Sequence, residues 1–377
     1  MNRTEAYLAL NLLPRIGPIR VRRLLEVFTE PERILAASAS ELRAVPGIGT
    51  EMAETIRDWE SQIDLAEELR RVADHGIELL TIEDDRYPPA LRQIHDPPHL
   101  LFLRGTLLDR DRQAIAVVGS RRVTHYGREC ARRLSFQLAH AGVTVVSGLA
   151  RGVDTAAHEA SLAAGGRTIA VLGSGIGNIY PPENAALADR IATSGAVLSE
   201  FPVLYVPDKQ SFPLRNRIVS GMSQGILVVE APARSGALIT ANQAMEQGRT
   251  VYAVPGPIDR PHSEGCNRLI QDGAKLVIDS RDVLEEMDTL FSLDSVTQSA
   301  PRGPKSAEPP VQAPSLLATL DPVERVILEA VGESETTIDD IIDRAHQPTA
   351  IVSATLLRLE MKRLVKALPG KYFVRLT

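Results

Sequence analysis

The middle of the chain alternates apolar runs with amphipathic segments. Three runs, at 114–118, 143–146 and 168–172, are continuously apolar and rich in β-branched residues. Such runs are typical of parallel strands that are buried on both faces of a sheet. Helical patterns follow the first two runs, over 126–141 and 153–164. This repetition of strand, loop and helix predicts an α/β core with a parallel sheet.

A short glycine-containing loop follows each of the three runs. The loops are Gly-Ser-Arg at 119–121, Ser-Gly-Leu-Ala-Arg-Gly at 147–152 and Gly-Ser-Gly at 173–175. In α/β sheets the ligand crevice lies outside the carboxyl ends of the strands, where free backbone N–H groups suit anions. Arg121 and Arg151 add guanidinium groups that match phosphate oxygens. One such loop would be explained as an ordinary tight turn, but three together favour a phosphate-binding rim.

The usual nucleotide-cofactor motifs are absent from these loops. The first loop has one glycine, and the Gly-x-Gly at 173–175 is followed by Gly177, one position too early for a dinucleotide fingerprint. The sequence contains no Walker A run, since its Gly-Lys pair at 370–371 lies near the C-terminus. We therefore expect no NAD, no ATP and no other cofactor.

Candidate catalytic patterns are equally weak. The Gly-Met-Ser-Gln-Gly at 221–225 has the spelling of a nucleophile elbow, yet it follows a helical stretch and precedes an apolar run at 226–230, the reverse of the required order. Asp154 and His158 are spaced four apart on one helix and could be a general base with its orienting partner, but a surface polar pair is the commoner explanation of this spacing. Cys130 and Cys266 have no metal-binding spacing. We expect a protein that is not an enzyme.

The N-terminal region contains a duplicated helical motif. Residues 42–56 follow the pattern of a helix-hairpin-helix around a Pro-Gly-Ile-Gly turn, and a weaker copy lies at 10–24, where Arg15 and Val21 replace a glycine and an alanine. Such hairpins either offer backbone N–H groups to a DNA phosphate or serve only to pack helices, and the sequence leaves both interpretations open. A run at 77–82 predicts a strand, and the proline-rich segment that follows predicts an extended connector.

The composition changes sharply near the C-terminal end. Residues 292–315 are rich in Ser and Pro, which predicts a flexible tether. Beyond it, three helical patterns at 322–331, 338–345 and 349–364 precede a hairpin at 365–376, the order of a winged helix. Its third helix and wing carry basic residues, while its second helix is acidic, so contact with duplex DNA and contact with protein both remain open. The basic residues are Arg358, Lys362, Arg363, Lys366, Lys371 and Arg375.

Length, charge and composition limit the possible classes. The 377 residues exceed one average domain, and a hydrophobic content of 44% supports real cores. A net charge of -6 gives no global signature of nucleic-acid binding, so any DNA site must be locally basic. The sequence has no recognisable signal peptide and no apolar span of membrane length, and we expect a cytoplasmic protein that does not contact a membrane.

Further segments match one known family in order. They are Ile-Tyr-Pro at 179–181, Ser-Glu-Phe-Pro at 199–202, Phe-Pro-Leu-Arg-Asn-Arg-Ile-Val-Ser-Gly at 212–221, Ser-Gly-Ala-Leu-Ile-Thr at 235–240, Val-Pro-Gly at 254–256 and Gly-Cys-Asn-x-Leu-Ile at 265–270. Together with the three loops, they resemble the DNA processing protein A family (DprA, also called Smf). The resemblance implies an α/β fold with an extended Rossmann-like parallel sheet, an N-terminal helix-hairpin-helix (SAM-like) domain and a C-terminal winged helix. The expected divisions are 1–72, 73–291, a linker at 292–316, and 317–377.

The resemblance also implies a function and a site. Family members bind single-stranded DNA without sequence preference, protect incoming DNA and load the RecA recombinase in natural transformation. They also dimerise through the Rossmann-like domain. In this chain the corresponding surface is expected around 244–248 and 267–273. Arg167 matches a basic position that is commonly Lys in the family, and the Arg-Asn at 215–216 either lines the pocket or holds the fold. Aromatic candidates for base stacking are Tyr180, Phe201 and Phe212. The predicted DNA-binding residues are Gly119, Ser120, Arg121, Ser147, Gly148, Arg151, Gly152, Arg167, Gly173, Ser174, Arg215 and Asn216.

Two other functions remain as alternatives. A similar sheet occurs in phosphoribohydrolases, which mark their site with Pro-Gly-Gly-x-Gly-Thr; here the corresponding segment at 233–240 lacks the glycine pair. Fold analogy alone does not confer that activity. The other alternative is a nucleotide sensor with a regulatory winged helix. Binding to oligo-dT but not to mononucleotides would separate the first interpretation from both.

Overall fold

The computed structural model describes residues 1–294, 322–331, 336–349 and, beyond these, 351–352, 355–356, 359, 364–368 and 372–375. Met1–Ser299 and Ala300–Thr377 form two compact units. Most of the predicted tether, and Arg358, Lys362, Arg363 and Lys371 of the tail, lie outside the described residues.

The first unit is built around a nine-stranded sheet with the order β1-β2-β6-β5-β4-β3-β7-β8-β9. β1 and β2 pair antiparallel, β2 pairs antiparallel with β6, and the remaining neighbours are parallel. The predicted parallel α/β core is confirmed. The strands are β1 Glu78–Thr81, β2 Leu100–Gly105, β3 Ala114–Val118, β4 Thr144–Ser147, β5 Thr168–Leu172, β6 Ala196–Ser199, β7 Gly225–Val228, β8 Thr250–Ala253 and β9 Lys275–Leu276.

Helices cover both faces of the sheet and build the N-terminal region. In the first unit they are α1 Arg3–Leu12, α2 Pro18–Phe28, α3 Pro31–Ala36, α4 Ala39–Arg43, α5 Thr50–Arg57, α6 Trp59–Gln62, α7 Leu65–Asp74, α8 Pro89–Arg92, α9 His125–His140, α10 Val153–Ala163, α11 Ala185–Ser194, α12 Ser211–Gly221, α13 Gly236–Glu246, α14 Glu264–Gln271 and α15 Arg281–Asp294, with short 3₁₀ turns at Asp109–Arg112 and Pro182–Asn184.

The core lies in two layers, one on each face of the sheet. On one face, α9, α10 and α15 pack against the strands, through side chains such as Leu134, Ala157 and Val283. On the other face, α8, α12 and α13 pack through side chains such as Ile218 and Ala241. Since β3 to β5 are buried on both faces, their sequences are continuously apolar rather than alternating.

Strand β3 marks the point where the chain changes direction across the sheet. β4 lies on one side of β3, while β7, which comes much later in the chain, lies on the other. In open α/β sheets the ligand crevice forms at the carboxyl end of such a switch point. The loops after β3, β4, β5 and β7 therefore surround one site.

The proline-rich connector differs from the prediction. It contains the short helix α8 and leads into β2, which pairs with both β1 and β6. Pro89 begins α8, because proline at the first helical position has no N–H that needs an intrahelical partner. The hydroxyl of buried Tyr87 donates to the carbonyl of Pro98 at 2.7 Å and closes the connector on itself.

Both hairpins of the N-terminal region form. Gly47 in the second copy has a positive φ of 86°, and Arg15 in the first copy has a positive φ of 64° at the equivalent place. The first turn therefore keeps its shape without glycine. Arg15 Nη1 lies 2.7 Å from Glu51 Oε1, an exposed ion pair that links the two copies.

The second unit has the elements of a winged helix. Helices α16 (Pro322–Ala330) and α17 (Ile338–Ala345) precede helical residues between 349 and 359. Strands β10 (Thr336–Thr337), β11 (Val365–Leu368) and β12 (Tyr372–Arg375) form an antiparallel sheet in the order β10-β12-β11. The predicted wing hairpin is the β11–β12 pair.

Candidate nucleic-acid interface

A cleft of about 710 Å³ opens at the carboxyl end of β3, and we call it the rim cleft. Five basic side chains and one acidic side chain line it, so it is locally positive in a chain with a net charge of -6. Its lining residues are Val118, Gly119, Ser120, Arg121, Arg122, Gly148, Ala150, Asp154, Lys209, Phe212, Pro213, Arg215, Asn216, Val219, Pro232, Arg234, Ser235, Gly236, Ala237, Ile239, Thr240 and His262.

Two smaller depressions continue from the rim cleft. The side cleft shares part of the rim cleft and is lined by Arg121, Gly148, Ala150, Arg151, Gly173, Tyr180, Pro181, Phe212 and Arg215. The helix groove, of about 340 Å³, lies between α9 and α10 and is lined by Arg128, Arg132, Arg151, Gly152, Thr155, Ala156, Glu159, Glu183 and Asn184.

The structure brings nine of the twelve predicted site residues to these depressions. Six line the rim cleft, Arg151 and Gly173 line the side cleft, and Gly152 lines the helix groove. The six are Gly119, Ser120, Arg121, Gly148, Arg215 and Asn216.

The other three predicted residues lie elsewhere. Arg167 directly precedes β5 and so lies at the amino end of that strand, opposite the rim cleft. Its buried guanidinium pairs there with Asp111 at 2.8 Å. Ser147 is fully buried, and its hydroxyl donates to the carbonyl of Val117 at 2.6 Å. Ser174 is also buried and its carbonyl accepts from the hydroxyl of Ser199 at 2.7 Å. The side chains of these three residues therefore belong to the interior, and none of the three lines a depression described above.

Gly148 and Gly152 show how closely the loops pack. A Cβ atom at Gly148 would lie 2.1 Å from Nη1 of Arg215. Gly152 has a φ of 83°, and a Cβ atom there would lie 2.2 Å from the carbonyl oxygen of Ser120. The loops after β3 and β4 therefore touch backbone to backbone, which fixes their relative position.

Buried Arg215 connects the loop after β4 with strand β5 through hydrogen bonds to their carbonyl groups. It is 4% exposed, and its Nη1 donates to the carbonyls of Gly148 and Val171, while its Nε donates to Oδ1 of Asn216 at 3.1 Å. Burial lowers the pKa of Arg215 to about 10, against the opposing effect of the Asp154 carboxylate. Of the two sequence alternatives for this residue, the contacts support fold-holding at the cleft wall.

Asp154 and His158 are not the surface pair that the spacing predicted. Asp154 is buried, and its Oδ2 accepts from the backbone N–H groups of Gly148 at 3.1 Å and Ala150 at 3.3 Å. His158 is fully buried with Nδ1 2.7 Å from Oγ1 of Thr168. Burial raises the pKa of Asp154, and Arg215 opposes that shift. The carboxylate thus shapes the loop after β4.

An exposed cation and two aromatic rings lie side by side at the mouth. The guanidinium carbon of Arg121 is 4.7 Å from the centroid of the Phe212 ring, a cation–π distance. The Tyr180 ring is 5.9 Å from the Phe212 ring, and the rings are tilted by 52°. Among residues 1–294, no carboxylate pairs with Arg121. Phe201, by contrast, stacks on Tyr205 at 4.6 Å and does not line the rim cleft.

Arg151 is engaged differently from Arg121. Its Nε donates to Oε1 of Glu183, and both side chains are about half exposed. This contact raises the pKa of Arg151 and lowers the pKa of Glu183.

Several cleft residues were missed by sequence reasoning. Arg122, Lys209, Arg234 and His262 line the rim cleft, and Arg234 comes just before α13, whose first turn is capped by Ser235. The available signal was that the 230–240 segment follows a strand and begins a helix with Ser and Gly. Only the pairing of β3 with β7 brings that segment beside the loop at 119–121.

Metal ligands, disulfides and long apolar helices would indicate other kinds of site in the part of the chain that the structure describes. There, no group of three or more His, Cys, Asp or Glu side chains is arranged to hold a metal ion. Cys130 and Cys266 are buried and unpaired by disulfide. Among the helices of that same part, none combines the length and apolar character that a membrane span requires.

Family models match all three regions of the chain. The model described as DNA recombination-mediator protein A matches residues 78–288, the DprA winged-helix domain matches 310–371, and a SAM-like helix-hairpin-helix tandem matches 8–58. The first covers the whole sheet and every residue of the rim cleft.

Known proteins agree with these matches. Protein Smf of Synechocystis is 35% identical over 99% of this chain and 99% of its own length, and Protein Smf of Escherichia coli is 42% identical over 78% and 76%. The X-ray structure of DNA processing protein A from Streptococcus pneumoniae is 37% identical, covers 76% of this chain and 99% of that chain, and has a TM-score of 0.68. A Helicobacter pylori DNA processing protein A, described with a single-stranded DNA binding mode, is 29% identical over 58% and 98%, with a TM-score of 0.50. This chain belongs to the DNA processing protein A family.

Proposed function

We propose that this protein binds single-stranded DNA without sequence preference, with the strand lying in the rim cleft. The observation that carries the proposal is the local positive charge of the cleft at the switch point of a chain that is acidic overall. Sequence-independent binding comes mostly from phosphate neutralisation and counterion release, for which a fixed cluster of cations suffices. The description of the Helicobacter pylori relative, which names a single-stranded DNA binding mode, supports the same ligand.

The residues divide into phosphate contacts and a stacking surface. Arg121, Arg122 and Lys209 are exposed at the cleft and supply the charge. Phe212 and Tyr180 offer ring faces on which bases stack, because every base has a π-face whatever its sequence. Arg215 acts as a positioning residue, since its Nη1 already donates to the carbonyls of Gly148 and Val171.

The wider role follows from the family. The protein protects incoming single strands and helps load RecA during natural transformation and recombination, and it works in the cytoplasm as a binding protein rather than an enzyme. The match to a recombination-mediator model supports this role.

We also propose that it acts as a homodimer through the Rossmann-like domain, which would double the sites along one strand. The segments 244–248 and 267–273 contain both exposed and buried apolar side chains. Met245 is half exposed, whereas Ala244 and Leu269 are buried in the core of this chain. The exposed positions of α13 and α14 are therefore the candidates for the contact.

The proposal is tested by replacing one unpaired cation. Arg121→Ala should weaken oligo-dT binding about tenfold, since a hydrogen bond to a charged group contributes about 1.5–3 kcal/mol. It should also lower the log–log salt slope by about 0.7, the value for one phosphate contact on a single strand. Gel shifts and fluorescence anisotropy over a salt series measure both. Arg190→Ala, which removes an exposed arginine of α11 outside the clefts, is the control.

Three outcomes decide the matter. Reduced binding with an unchanged circular dichroism spectrum supports the proposal. Wild-type binding by folded Arg121→Ala would contradict it. Tighter binding of mononucleotides than of oligo-dT by the wild-type protein would favour the nucleotide enzyme or sensor instead.

A further inference from the structure

The helix groove between α9 and α10 lies outside the rim cleft and shares no lining residue with it. It has a volume of about 340 Å³ and is lined by three arginines and two glutamates. Apart from glycine, its single apolar lining residue is Ala156. Because Ala156 is small, the groove offers no large apolar side chain for a protein segment to pack against, and protein interfaces need such contact at their centre.

The groove continues the proposed DNA path without a break. The rim cleft and the side cleft share Arg121 and Gly148, and the side cleft and the helix groove share Arg151. Next to the shared Arg151, Gly152 packs directly on the backbone of Ser120 and Arg121, which places the helix groove beside the loop after β3.

Two of the three arginines of the groove, Arg128 and Arg132, are available for a ligand. Arg128 is exposed, and its side chain makes no ion pair or hydrogen bond with the residues of 1–294. Arg132 Nη1 is 3.9 Å from Glu129 Oε1, and both side chains are more than half exposed, so that this pair is weak. The next residue, Arg133, is already used, because its Nη2 donates to the carbonyl of Ile278 at 2.8 Å.

The two arginines are also spaced to follow a strand. Positions 128 and 132 are four apart on α9 and therefore lie on the same face of the helix, about 6 Å apart along its axis. We infer that the bound single strand leaves the rim past Arg151 and Gly152 and runs along the helix groove, where Arg128 and Arg132 contact its phosphates. This inference rests on the proposed function and assigns the exit path of the same ligand.

The test compares DNA of two lengths. In Arg128→Gln/Arg132→Gln, binding of a long oligo-dT should lose about 1.4 from its log–log salt slope, the sum for two phosphate contacts on a single strand. Binding of a short oligo-dT that fills only the rim cleft should keep its affinity and slope. Arg110→Gln/Arg190→Gln removes the same charge from exposed positions outside the three depressions and is the matched control.

A second variant moves the affinity in the opposite direction. Glu159→Gln removes a negative charge from the groove and should tighten binding of the long oligo-dT alone. An unchanged salt slope for the long oligo-dT in the double arginine variant overturns the inference. An equal loss for both lengths also overturns it, since the arginines would then act through the general field of the protein. Failure of the proposed function looks different, because the wild-type protein would then bind neither oligo-dT.

Discussion

Arginines of this chain illustrate how one residue type serves different purposes. Arg121 is exposed beside an aromatic ring, Arg151 is paired with Glu183, Arg215 is buried among loop carbonyls and Arg167 is buried at the far edge of the sheet. The sequence pattern located the loops and predicted that guanidinium groups bind phosphate there. It could not assign these roles, because the partner of each arginine comes from another part of the chain.

The ion pair of Arg151 leads to a prediction. Glu183 competes with a phosphate for the Arg151 guanidinium and also repels the DNA backbone. Glu183→Gln should therefore tighten oligo-dT binding by about threefold at low salt, in the range expected for an exposed pair. Fluorescence anisotropy titrations of the variant and the wild-type protein measure the change. Glu60→Gln, an equal change of charge at an exposed position outside the clefts, should have no effect. Weaker binding in Glu183→Gln would mean that Glu183 helps to position Arg151.

Elements of the sheet were predictable because a strand that is buried on both faces has a continuously apolar sequence. The run at 168–172 is β5, the run at 143–146 is β4 displaced by one residue, and the helix predicted at 126–141 is His125–His140. Strand order was not predictable, since an apolar run does not specify its neighbour. The pairing of β3 with β7 is what adds Arg234 and His262 to the cleft, and this explains their omission.

The start of α10 provides a test at the level of elements. Gly152 and Gly165 lie at the two ends of α10, and both have positive φ values, 83° and 67°. A Cβ atom at Gly165 would meet nothing within 4 Å, whereas at Gly152 it would meet the backbone of the loop after β3. Gly165→Ala should lower the free energy of unfolding by about 1–2 kcal/mol through backbone strain alone. Gly152→Ala should lower the free energy of unfolding by about 1–3 kcal/mol more through overpacking, and its ψ of -119°, outside the left-handed helical region, adds further strain.

Urea unfolding of the two glycine variants measures this difference, and oligo-dT binding is measured alongside. Gly152→Ala should also weaken DNA binding, since the loops after β3 and β4 would move apart. Equal destabilisation by the two substitutions would show that the loop contact contributes nothing to stability.

At the scale of the molecule, the N-terminal helices and the sheet form one compact unit. Tyr7 and Leu8 of α1 share a core with Leu100 and Phe102 of β2. Polar contacts reinforce it, since Oε1 of buried Glu68 accepts from the backbone N–H of Val203 at 2.6 Å. The division predicted at residue 72 thus falls inside one compact unit, while the helix-hairpin-helix match at 8–58 and the recombination-mediator match at 78–288 lie on either side of it. An amphipathic helix pattern shows that a face is buried, but not which surface covers it.

Acid should destabilise this unit through its buried histidines. Burial lowers the pKa of His99 to about 4 and the pKa of His158 to about 3, from an ordinary value of 6.5. Below pH 6.5 the unfolded chain binds these protons while the folded chain does not, so stability is lost as the pH falls from there toward the folded values. Asp154 and Glu200 act in the opposite sense, because burial raises their pKa and the folded state binds their protons first.

A single substitution isolates one histidine from these opposing contributions. His158→Gln keeps a donor for Oγ1 of Thr168 but cannot titrate. Between about pH 7.5 and about pH 5.5, the free energy of unfolding of the wild-type protein should fall by about 1.4 kcal/mol relative to that of the variant. The reason is that one proton binds only to the unfolded wild-type chain over that interval. Denaturant unfolding at the two pH values measures the gap, and His140→Gln, at an exposed position of α9, controls for removing a histidine from the surface. A gap that stays constant would mean that His158 gains its proton equally in both states, which its complete burial argues against.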